Sequence, residues 1–393
     1  MTDSQQIPEV SLDAAELLAT ARKDTGFSDF GCESFRPAFE KLLWALNTEA
    51  ELNPVGRLLQ HQRILNSLKN RLRMEAWIDQ HPEILEEELL PPVVIVGLTR
   101  TGTTMLHRIL ASDSRFHAPL WYEVRNPAPY MQWQPGAADD QRIREAEAEV
   151  ASLLASNPEL AAIHPMDPTG ADEEILLLEH SFYSYVPNSF AHVPSYGDFV
   201  ASADNTPAYE YLQRQLKFLQ WQKKQRGERA ERWLLKAPHH LHFMSTLLKV
   251  FPGIQVIATH RDPVVSIPST ASFYYNLWLT GNEHADKHVV AQEVLDVFAR
   301  GTQHTLQARA DSEEQFCDIW FEDTVARPQA VIDSIYTFID MPLTPEASAA
   351  MEQHRLDNQR ADRPAHAYTL DEYGYTEDGI RSRFQAYIDR FIN

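Results

Sequence analysis

Apolar side chains recur at helical spacing through the first part of the chain. The helices that this spacing predicts cover residues 11–18, 35–46 and 58–78. Ser11 stands where it would cap the first of them. The third carries many arginines and lysines on one side, which we interpret as a solvated helix face. Pro91 and Pro92 then favour an extended chain. Residues 1–90 are therefore predicted to form an N-terminal helical region.

The rest of the chain alternates short apolar runs with longer amphipathic stretches. The apolar runs, each short enough for a buried strand, are residues 93–96, 233–236, 254–259 and 316–321. The amphipathic stretches, each with helical spacing, are residues 105–110, 142–154, 209–225 and 241–250. Strands separated by helices indicate a parallel sheet with helices on both faces, so we expect an α/β protein.

The segment after the first predicted strand is the most informative motif. It reads Gly97-Leu-Thr-Arg-Thr-Gly-Thr-Thr104 and precedes a helix. A strand, a glycine-bounded turn and a helix N-terminus together present backbone N–H groups that favour an anion. Thr103 stands where a nucleotide triphosphatase carries lysine, and Arg100 is the cation inside the loop. The loop is predicted to hold a phosphate-like group but to suit a magnesium-bound γ-phosphate poorly.

Composition narrows the class of partner. The net charge is −21, which argues against nucleic acid and means that an anionic ligand needs locally placed cations. Cys32 and Cys317 lie far apart without metal-ligand spacing, as expected in a reducing compartment. We find no signal-peptide pattern and no apolar run approaching the roughly 20 residues of a membrane span. The expectation is a cytoplasmic protein without a membrane span.

A second candidate anion site follows the run at 254–259. Arg261 stands at the end of that strand, and Ser269 lies eight residues later in the next helix, so both can reach one phosphate. Arginine supplies a fork of donors and serine a hydroxyl. Together with the glycine loop, this pairing predicts a ligand with two separated anionic groups.

With both elements the chain resembles sulfotransferases that use 3′-phosphoadenosine 5′-phosphosulfate (PAPS), in particular the large bacterial branch. Those families carry a 5′-phosphosulfate loop G-x-P-[RK]-[ST]-G-T-T and a 3′-phosphate element R-[DN]-P-x-x-x-x-x-S. Here Thr99 replaces the usual proline, which changes the stiffness of the loop and keeps its donors. Further similar segments are residues 233–240, 321–323 and 365–374.

This resemblance covers nearly the whole chain and implies a fold. We expect a P-loop NTPase-like three-layer sandwich with a central parallel sheet. Residues 91–393 would form the sulfotransferase domain, and residues 1–90 a helical extension that packs on the acceptor side.

The resemblance also implies in-line transfer of the sulfuryl group to a hydroxyl, with an amine as the alternative acceptor. The residues it assigns to the donor are Gly97, Arg100, Thr101, Gly102, Thr103, Thr104, Arg261, Ser269, Phe321 and, more loosely, Arg363. Phe321 would stack on the adenine. Arg100 would take up charge on the leaving phosphate, and Lys236 would stabilise the sulfuryl oxygens. A sulfuryl group carries one negative charge where a phosphoryl carries two, so protein donors suffice and no metal is expected.

The acceptor hydroxyl needs a general base, for which the resemblance offers Glu123 and His239. We favour Glu123, for which the alternative is an ion pair with Arg125 or a helix cap. His239, His240 and His242 have no carboxylate or cysteine at ligand spacing nearby, so zinc is not expected.

The acceptor itself is predicted to be a small, lipophilic alcohol or phenol. The aromatic segment 182–196 and the N-terminal helices are the expected walls of its site. The sequence is compatible with a homo-oligomer and does not set the oligomeric state. Two alternatives stay open: a P-loop kinase or NTPase with Asp262 as magnesium ligand, and a nucleotide-sensing or scaffold protein that keeps the fold without transfer.

Overall fold

A five-stranded sheet lies at the centre of the structure, a computed structural model that describes residues 7–156, 166–358 and 369–392. The strands are β1 Val93–Gly97, β2 Phe116–His117, β3 Arg232–Lys236, β4 Gln255–His260 and β5 Phe316–Trp320. Their order across the sheet is β2-β3-β1-β4-β5, and each pairs in parallel with its neighbours. The parallel sheet predicted from the apolar runs is therefore confirmed.

Alternate residues of the central strand enter two hydrophobic cores. Val93 and Ile95 face a core that also contains Ile335. Val94 and Val96 face a larger core on the opposite side of the sheet. Because helices cover both faces, the central strand β1 has no polar side chain at any position. The expected three-layer α/β sandwich is confirmed.

Helices form the outer layers. Those within the described residues are α1 Ala14–Thr25, α2 Arg36–Thr48, α3 Pro54–Gln80, α4 Thr103–Leu110, α5 Trp121–Arg125, α6 Gln141–Ser156, α7 Ile175–Glu179, α8 Val186–Phe190, α9 Pro194–Ser202, α10 Thr206–Gln225, α11 Met244–Val250, α12 Pro263–Trp278, α13 Lys287–Arg309, α14 Phe321–Ala326, α15 Pro328–Phe338, α16 Pro345–Asp357, α17 Glu377–Arg383 and α18 Gln385–Phe391. Short 3₁₀ helices are Glu33–Phe35, Pro82–Glu86, Pro238–His242, Glu313–Gln315 and Asp371–Tyr373. None of the helices in these ranges is both long and apolar enough to cross a membrane.

The N-terminal region is helical, as predicted, and packs on the larger core. Leu17 of α1 and Leu68 of α3 are buried in it. The start of α3 also approaches the chain that follows α12. The backbone N–H of Asn53 donates to the carbonyl of Gly281 at 2.8 Å. A Cβ on Gly56 would lie 2.5 Å from the Gly281 backbone, so glycine is needed for this contact.

The N-cap of the first helix lies two residues later than predicted. Asp13, and not Ser11, is the N-cap: its carboxylate accepts the backbone N–H of Glu16 at 3.0 Å. The hydroxyl of Ser11 instead accepts the N–H of Asp13 at 3.2 Å. The prediction of a serine cap was wrong by this shift in register.

The interpretation of α3 as having a solvated basic face was also wrong at its centre. Arg71 is 1% exposed. Its guanidinium donates to three carbonyl oxygens, those of Phe30, Cys32 and His180. Five donors in a fixed fork let one arginine satisfy several buried carbonyls, so the residue holds the N-terminal region to the body of the protein.

Strand β2 was not predicted from the sequence. It pairs with β3 through two residues, Phe116 opposite Arg232 and His117 opposite Trp233. Two residues are too few to show the apolar alternation or run that identifies a strand.

Candidate active site

The predicted site residues gather at the carboxyl ends of β1, β3 and β4. The chain that follows β1 leads to β2 at one edge of the sheet, whereas the chain that follows β4 leads to β5 at the other edge, and this leaves a crevice outside the carboxyl ends of the strands. The glycine loop follows β1, Lys236 ends β3, and Arg261 follows β4. Topology thus brings the loop and two cations to one edge of the sheet.

Gly97 and Thr101 fix the loop against β4. A Cβ on Gly97 would lie 2.6 Å from the carbonyl oxygen of Thr259 and would also overlap its hydroxyl. The buried Thr101 hydroxyl donates to the carbonyl of Leu98 at 2.7 Å and lies 2.7 Å from the Thr259 hydroxyl. The side chain of Thr101 therefore shapes the loop.

The remaining loop residues make a tight turn. The hydroxyl of Thr99 is hydrogen-bonded to that of Thr270 on α12, which restrains the loop where related sequences carry proline. Arg100 and Gly102 have φ angles of 69° and 84°, both in the left-handed region. The side chain of Arg100 is exposed on this turn.

Lys236 supplies the lysine that the loop lacks. Helix α4 begins at Thr103 with Gly102 as its N-cap, and no side chain caps it. Its first backbone N–H groups are therefore suited to an anion. The Nζ of Lys236 lies 3.2 Å from Oγ1 of Thr104, although the residue is only 1% exposed. A cation from β3 thus stands beside the helix N-terminus.

Arg261 and Phe321 form the other half of the crevice. The guanidinium lies 3.9 Å from the centroid of the Phe321 ring, and its Nη1 donates to the carbonyl of Arg100 at 2.8 Å. Phe321 also packs on the loop, since a Cβ on Gly102 would lie 3.1 Å from its ring. Ser269 is buried on α12. Arginine, aromatic ring and loop are therefore adjacent.

Two acidic residues that sequence reasoning missed contact β3 and the turn after it. Glu173 forms an ion pair with Nζ of Lys236. Glu174 accepts the backbone N–H of Lys236 at 2.7 Å and lies 2.7 Å from Nε2 of His240. The available signal was a run of acidic residues directly before α7. Their partners lie 62–66 residues further along the chain, so no local pattern links them.

Glu123, the general base preferred from the sequence, lies away from solvent among cations. It is fully buried in α5, where it accepts the backbone N–H of Leu120 at 3.0 Å. Lys223 and Arg226 lie 3.0 and 3.1 Å from its Oε1. Burial opposes ionisation, but these two cations outweigh it and hold the pKa of the carboxyl below its usual value. The carboxylate caps a helix, as in the alternative given for it, and neutralises two cations, while its part as general base stays a prediction.

His239, the rival base, lies in the wall of a cavity of about 490 Å³, part of it open to solvent. The other walls are mostly apolar and aromatic, and include Tyr185, Tyr274, Trp278, Val294 and Phe298. Neither ring nitrogen of His239 has a hydrogen-bond partner among the described residues. Burial first, and then the neighbouring histidines, lower its pKa well below the usual value. The imidazole is therefore neutral and available to a ligand.

The segment 182–196 and the N-terminal helices, the two predicted walls of an acceptor site, lie differently with respect to this cavity. The aromatic segment 182–196 contributes Tyr185 and Asn188. The lining residues run from Ile175 to Phe298, so the described N-terminal helices do not line the cavity. They support it from outside, since α3 contacts Gly281 just beyond α12.

The neighbouring histidines have separate environments. His240 is buried between Glu174 and the hydroxyl of Tyr209, which lies 2.8 Å from its Nδ1. Burial, followed by the charge of Arg300, lowers the pKa of His242 to about 3. In the part of the chain that the structure describes, no group of three or more histidine, cysteine or acidic side chains is placed to hold a metal. Arg363 lies outside the described residues.

Asp262, which a kinase would use for magnesium, is engaged in the fold. Its carboxylate caps α12 by accepting the N–H of Val264 at 2.9 Å. It is also paired with Arg381 at 3.0 Å. The only acidic magnesium ligand considered for the kinase alternative therefore already has partners.

Comparison with known proteins identifies the class. Residues 91–345 match the model of the sulfotransferase family. Because the match covers more than half of the chain, the chain belongs to that family. The sulfotransferase class and the bacterial relationship expected from the motifs are confirmed.

Individual relatives agree with this family. Omega-hydroxy-beta-dihydromenaquinone-9 sulfotransferase Stf3 of Mycobacterium bovis and of Mycobacterium tuberculosis is 25% identical over 262 residues, which are 64% of this chain and 63% of the relative. The match thus spans just under two thirds of these curated relatives. The crystal structure of sulfotransferase STF1 from Mycobacterium tuberculosis H37Rv has a TM-score of 0.83 and 28% identity, covering 95% of this chain and 98% of that one. The crystal structure of sulfotransferase STF9 from Mycobacterium avium has a TM-score of 0.87 and 26% identity, covering 98% of this chain and 98% of that one.

Proposed function

We propose that this protein transfers the sulfuryl group of PAPS to a hydroxyl of a small, lipophilic acceptor without a metal. The observation that carries the proposal is the position of Lys236, whose Nζ lies 3.2 Å from Thr104 at the N-terminus of α4. A glycine loop without its own lysine thereby gains one cation. One cation and a row of N–H groups match the single charge of a sulfuryl group.

The described residues fit this donor at both ends. The loop from Gly97 to Thr104, with Arg100, would hold the 5′-phosphosulfate. Arg261 and Ser269 would bind the 3′-phosphate through a guanidinium fork and a hydroxyl. Phe321 offers a ring face for the adenine. When bound, the donor would supply a sulfuryl group attached to a good leaving group.

The cavity beside His239 is the proposed acceptor site. Its apolar and aromatic walls favour a lipophilic molecule, and the unpaired ring nitrogens of His239 supply a polar group that can fix the acceptor hydroxyl. The relative Stf3 is named for a dihydromenaquinone acceptor, which is consistent with a lipophilic substrate. We further propose that residues 1–90 form a helical extension on this side of the molecule, where α3 supports the end of α12.

Calorimetry of 3′-phosphoadenosine 5′-phosphate without magnesium, beside ADP, tests the donor assignment. We expect the first ligand to bind far more tightly than ADP, because only it carries a 3′-phosphate. Arg261→Ala should weaken its binding by about thirty- to a hundredfold, the effect of removing a charged hydrogen bond. Arg355→Ala, which removes a surface arginine paired with Glu352, is the matched control and should bind normally. Equal binding of ADP, or no binding of either ligand, would contradict the proposal.

A further inference from the structure

The ion pair between Lys236 and Glu173 joins the donor crevice to the acceptor cavity. Lys236 is almost fully buried, and its ammonium contacts both Thr104 of the loop and the carboxylate of Glu173. A sulfuryl group carried beyond the 5′-phosphate on the loop would share this ammonium with Glu173. The two negative groups therefore compete for one cation.

Glu173 differs from the acidic residues on either side of it. The side chain of Asp172 is 7% exposed and pairs with Arg125 at 3.1 Å. Glu174 has no exposed side-chain surface and holds His240 and the Lys236 backbone. The Glu173 side chain keeps 21% of its surface exposed. Among these three, Glu173 has the carboxylate that a substrate can reach.

The same carboxylate lies near the acceptor cavity. Burial first, and the negative charge of Glu173 second, raise the pKa of the Tyr274 hydroxyl. Tyr274 is one of the residues that line the cavity beside His239. Glu173 is thus close both to the cation of the donor site and to a wall of the acceptor site.

We infer that Glu173 is the general base, and that Lys236 neutralises it until an anionic donor takes over the lysine. The inference rests on the proposed function. In the free enzyme the ion pair satisfies both side chains. When a sulfuryl group lies beyond the loop, Lys236 contacts its oxygens, and the carboxylate of Glu173 loses its counter-ion and is free to contact the acceptor hydroxyl.

The step that follows balances in atoms and charge. Glu173 accepts the proton of the acceptor hydroxyl, whose oxygen forms a new bond to sulfur. The bond from sulfur to the bridging oxygen of the 5′-phosphate breaks, and the phosphate leaves with the electron pair. The products are a sulfate ester, 3′-phosphoadenosine 5′-phosphate and a protonated Glu173, which returns its proton to solvent.

The two residues considered above as the general base, Glu123 and His239, have other roles. Glu123 is neutralised by Lys223 and Arg226 in a fully buried position. His239 has a strongly lowered pKa, which makes it a weak base but a suitable partner for orienting the acceptor hydroxyl. The reactive proton then passes to a carboxylate, and the histidine holds the oxygen that loses it.

Binding and turnover of Glu173→Gln test this inference. By calorimetry, the variant should bind PAPS about two- to fivefold more tightly than the wild type, because the competing ion pair is gone. Its affinity for 3′-phosphoadenosine 5′-phosphate should be unchanged, because that ligand has no sulfuryl group for Lys236. Transfer of ³⁵S from PAPS to 2-naphthol or farnesol, or to water where neither alcohol reacts, should fall about a hundredfold or more.

Glu87→Gln is the matched control, since Glu87 is also partly buried and pairs with one lysine, Lys224, at 2.5 Å. It should leave binding and turnover unchanged. Normal turnover in Glu173→Gln, or equal changes in affinity for both nucleotides, would overturn the inference. If the wild type binds neither nucleotide, the proposed function itself fails. Retained binding of the product nucleotide by Glu173→Gln shows that its donor site is folded.

Discussion

At the scale of single residues, the buried ammonium of Lys236 restricts which ligand can occupy the crevice. An ammonium with 1% exposure is stable because Glu173 and Thr104 contact it. Leaving such a charge without a partner costs several kcal/mol. A ligand that displaces Glu173 must therefore bring its own negative charge. This favours a charged group over a neutral one at the end of the loop.

The reassignment of Glu123 gives a prediction about stability. Glu123→Gln should lower the free energy of unfolding by about 3 kcal/mol, because it removes the nearest carboxylate from the buried Lys223, whose next partner, Glu228, lies 3.8 Å away. Urea unfolding followed by fluorescence measures this loss. The folded fraction should keep its affinity for 3′-phosphoadenosine 5′-phosphate. A fully stable variant with lost turnover would instead restore Glu123 as a catalytic residue.

At the scale of elements, the sequence pattern was sufficient to predict those elements that contiguous residues determine. The apolar run of β1, the glycines of the loop and the helical spacing of α4 are contiguous, so the sequence alone predicts a strand, an anion loop and a helix. Glycine is needed at position 97 of the loop because a larger side chain there would overlap Thr259. Element type follows here from periodicity and turn chemistry.

Side-chain contacts between residues far apart in the sequence could not be predicted in this way. Glu123 has the residue type of a base, but its meaning depends on Lys223 and Arg226, about a hundred residues away. Glu173 meets Lys236 only because the segment before α7 folds over the end of β3. A single sequence carries no signal for such contacts, and it therefore identified the donor elements but not the ion pair beside them.

The contact between Gly97 and β4 gives a prediction for the loop. Gly97→Ala should displace the loop from Thr259, because the new methyl group would lie 2.6 Å from a backbone carbonyl that cannot move without disturbing the sheet. We expect a lower melting temperature and a loss of affinity for 3′-phosphoadenosine 5′-phosphate of at least about tenfold.

Ile257→Val is the control for Gly97→Ala. It removes one methylene from a buried side chain of β4 two residues before Thr259 and should cost about 1 kcal/mol of stability. Its nucleotide affinity should equal that of the wild type. If both variants lose affinity in proportion to stability, the loop has no special dependence on Gly97.

At the scale of the whole molecule, charge is distributed unevenly. The chain carries a net charge of −21, yet Arg100, Lys236 and Arg261 lie at one edge of the sheet. Such a local group of cations can bind an anion within a repulsive overall field. Surface charge is screened by salt beyond about 10 Å, so the contacts in the crevice decide affinity.

Buried histidines predict how stability depends on pH. Burial lowers the pKa of His107, His117 and His180 to about 4. In the unfolded chain these groups bind protons near pH 6.5, so the unfolded state takes up more protons between pH 6.5 and 4. The free energy of unfolding should therefore be fully retained above pH 6.5 and fall as the pH is lowered towards 4. His192, whose pKa is raised by Glu293, acts in the opposite sense.

The slope of the free energy of unfolding against pH shows whether histidines cause this decline. Each neutral buried histidine should contribute about 1.4 kcal/mol per pH unit within that window. Urea midpoints measured from pH 7.5 to 4.5 give the slope, and His180→Gln should reduce it by the share of one proton. The carboxylates with lowered pKa lose their contribution only at more acidic pH, so they do not account for a decline that begins at pH 6.5. A stability that stays flat down to pH 5 would show that these histidines are protonated in the folded protein, which their burial opposes.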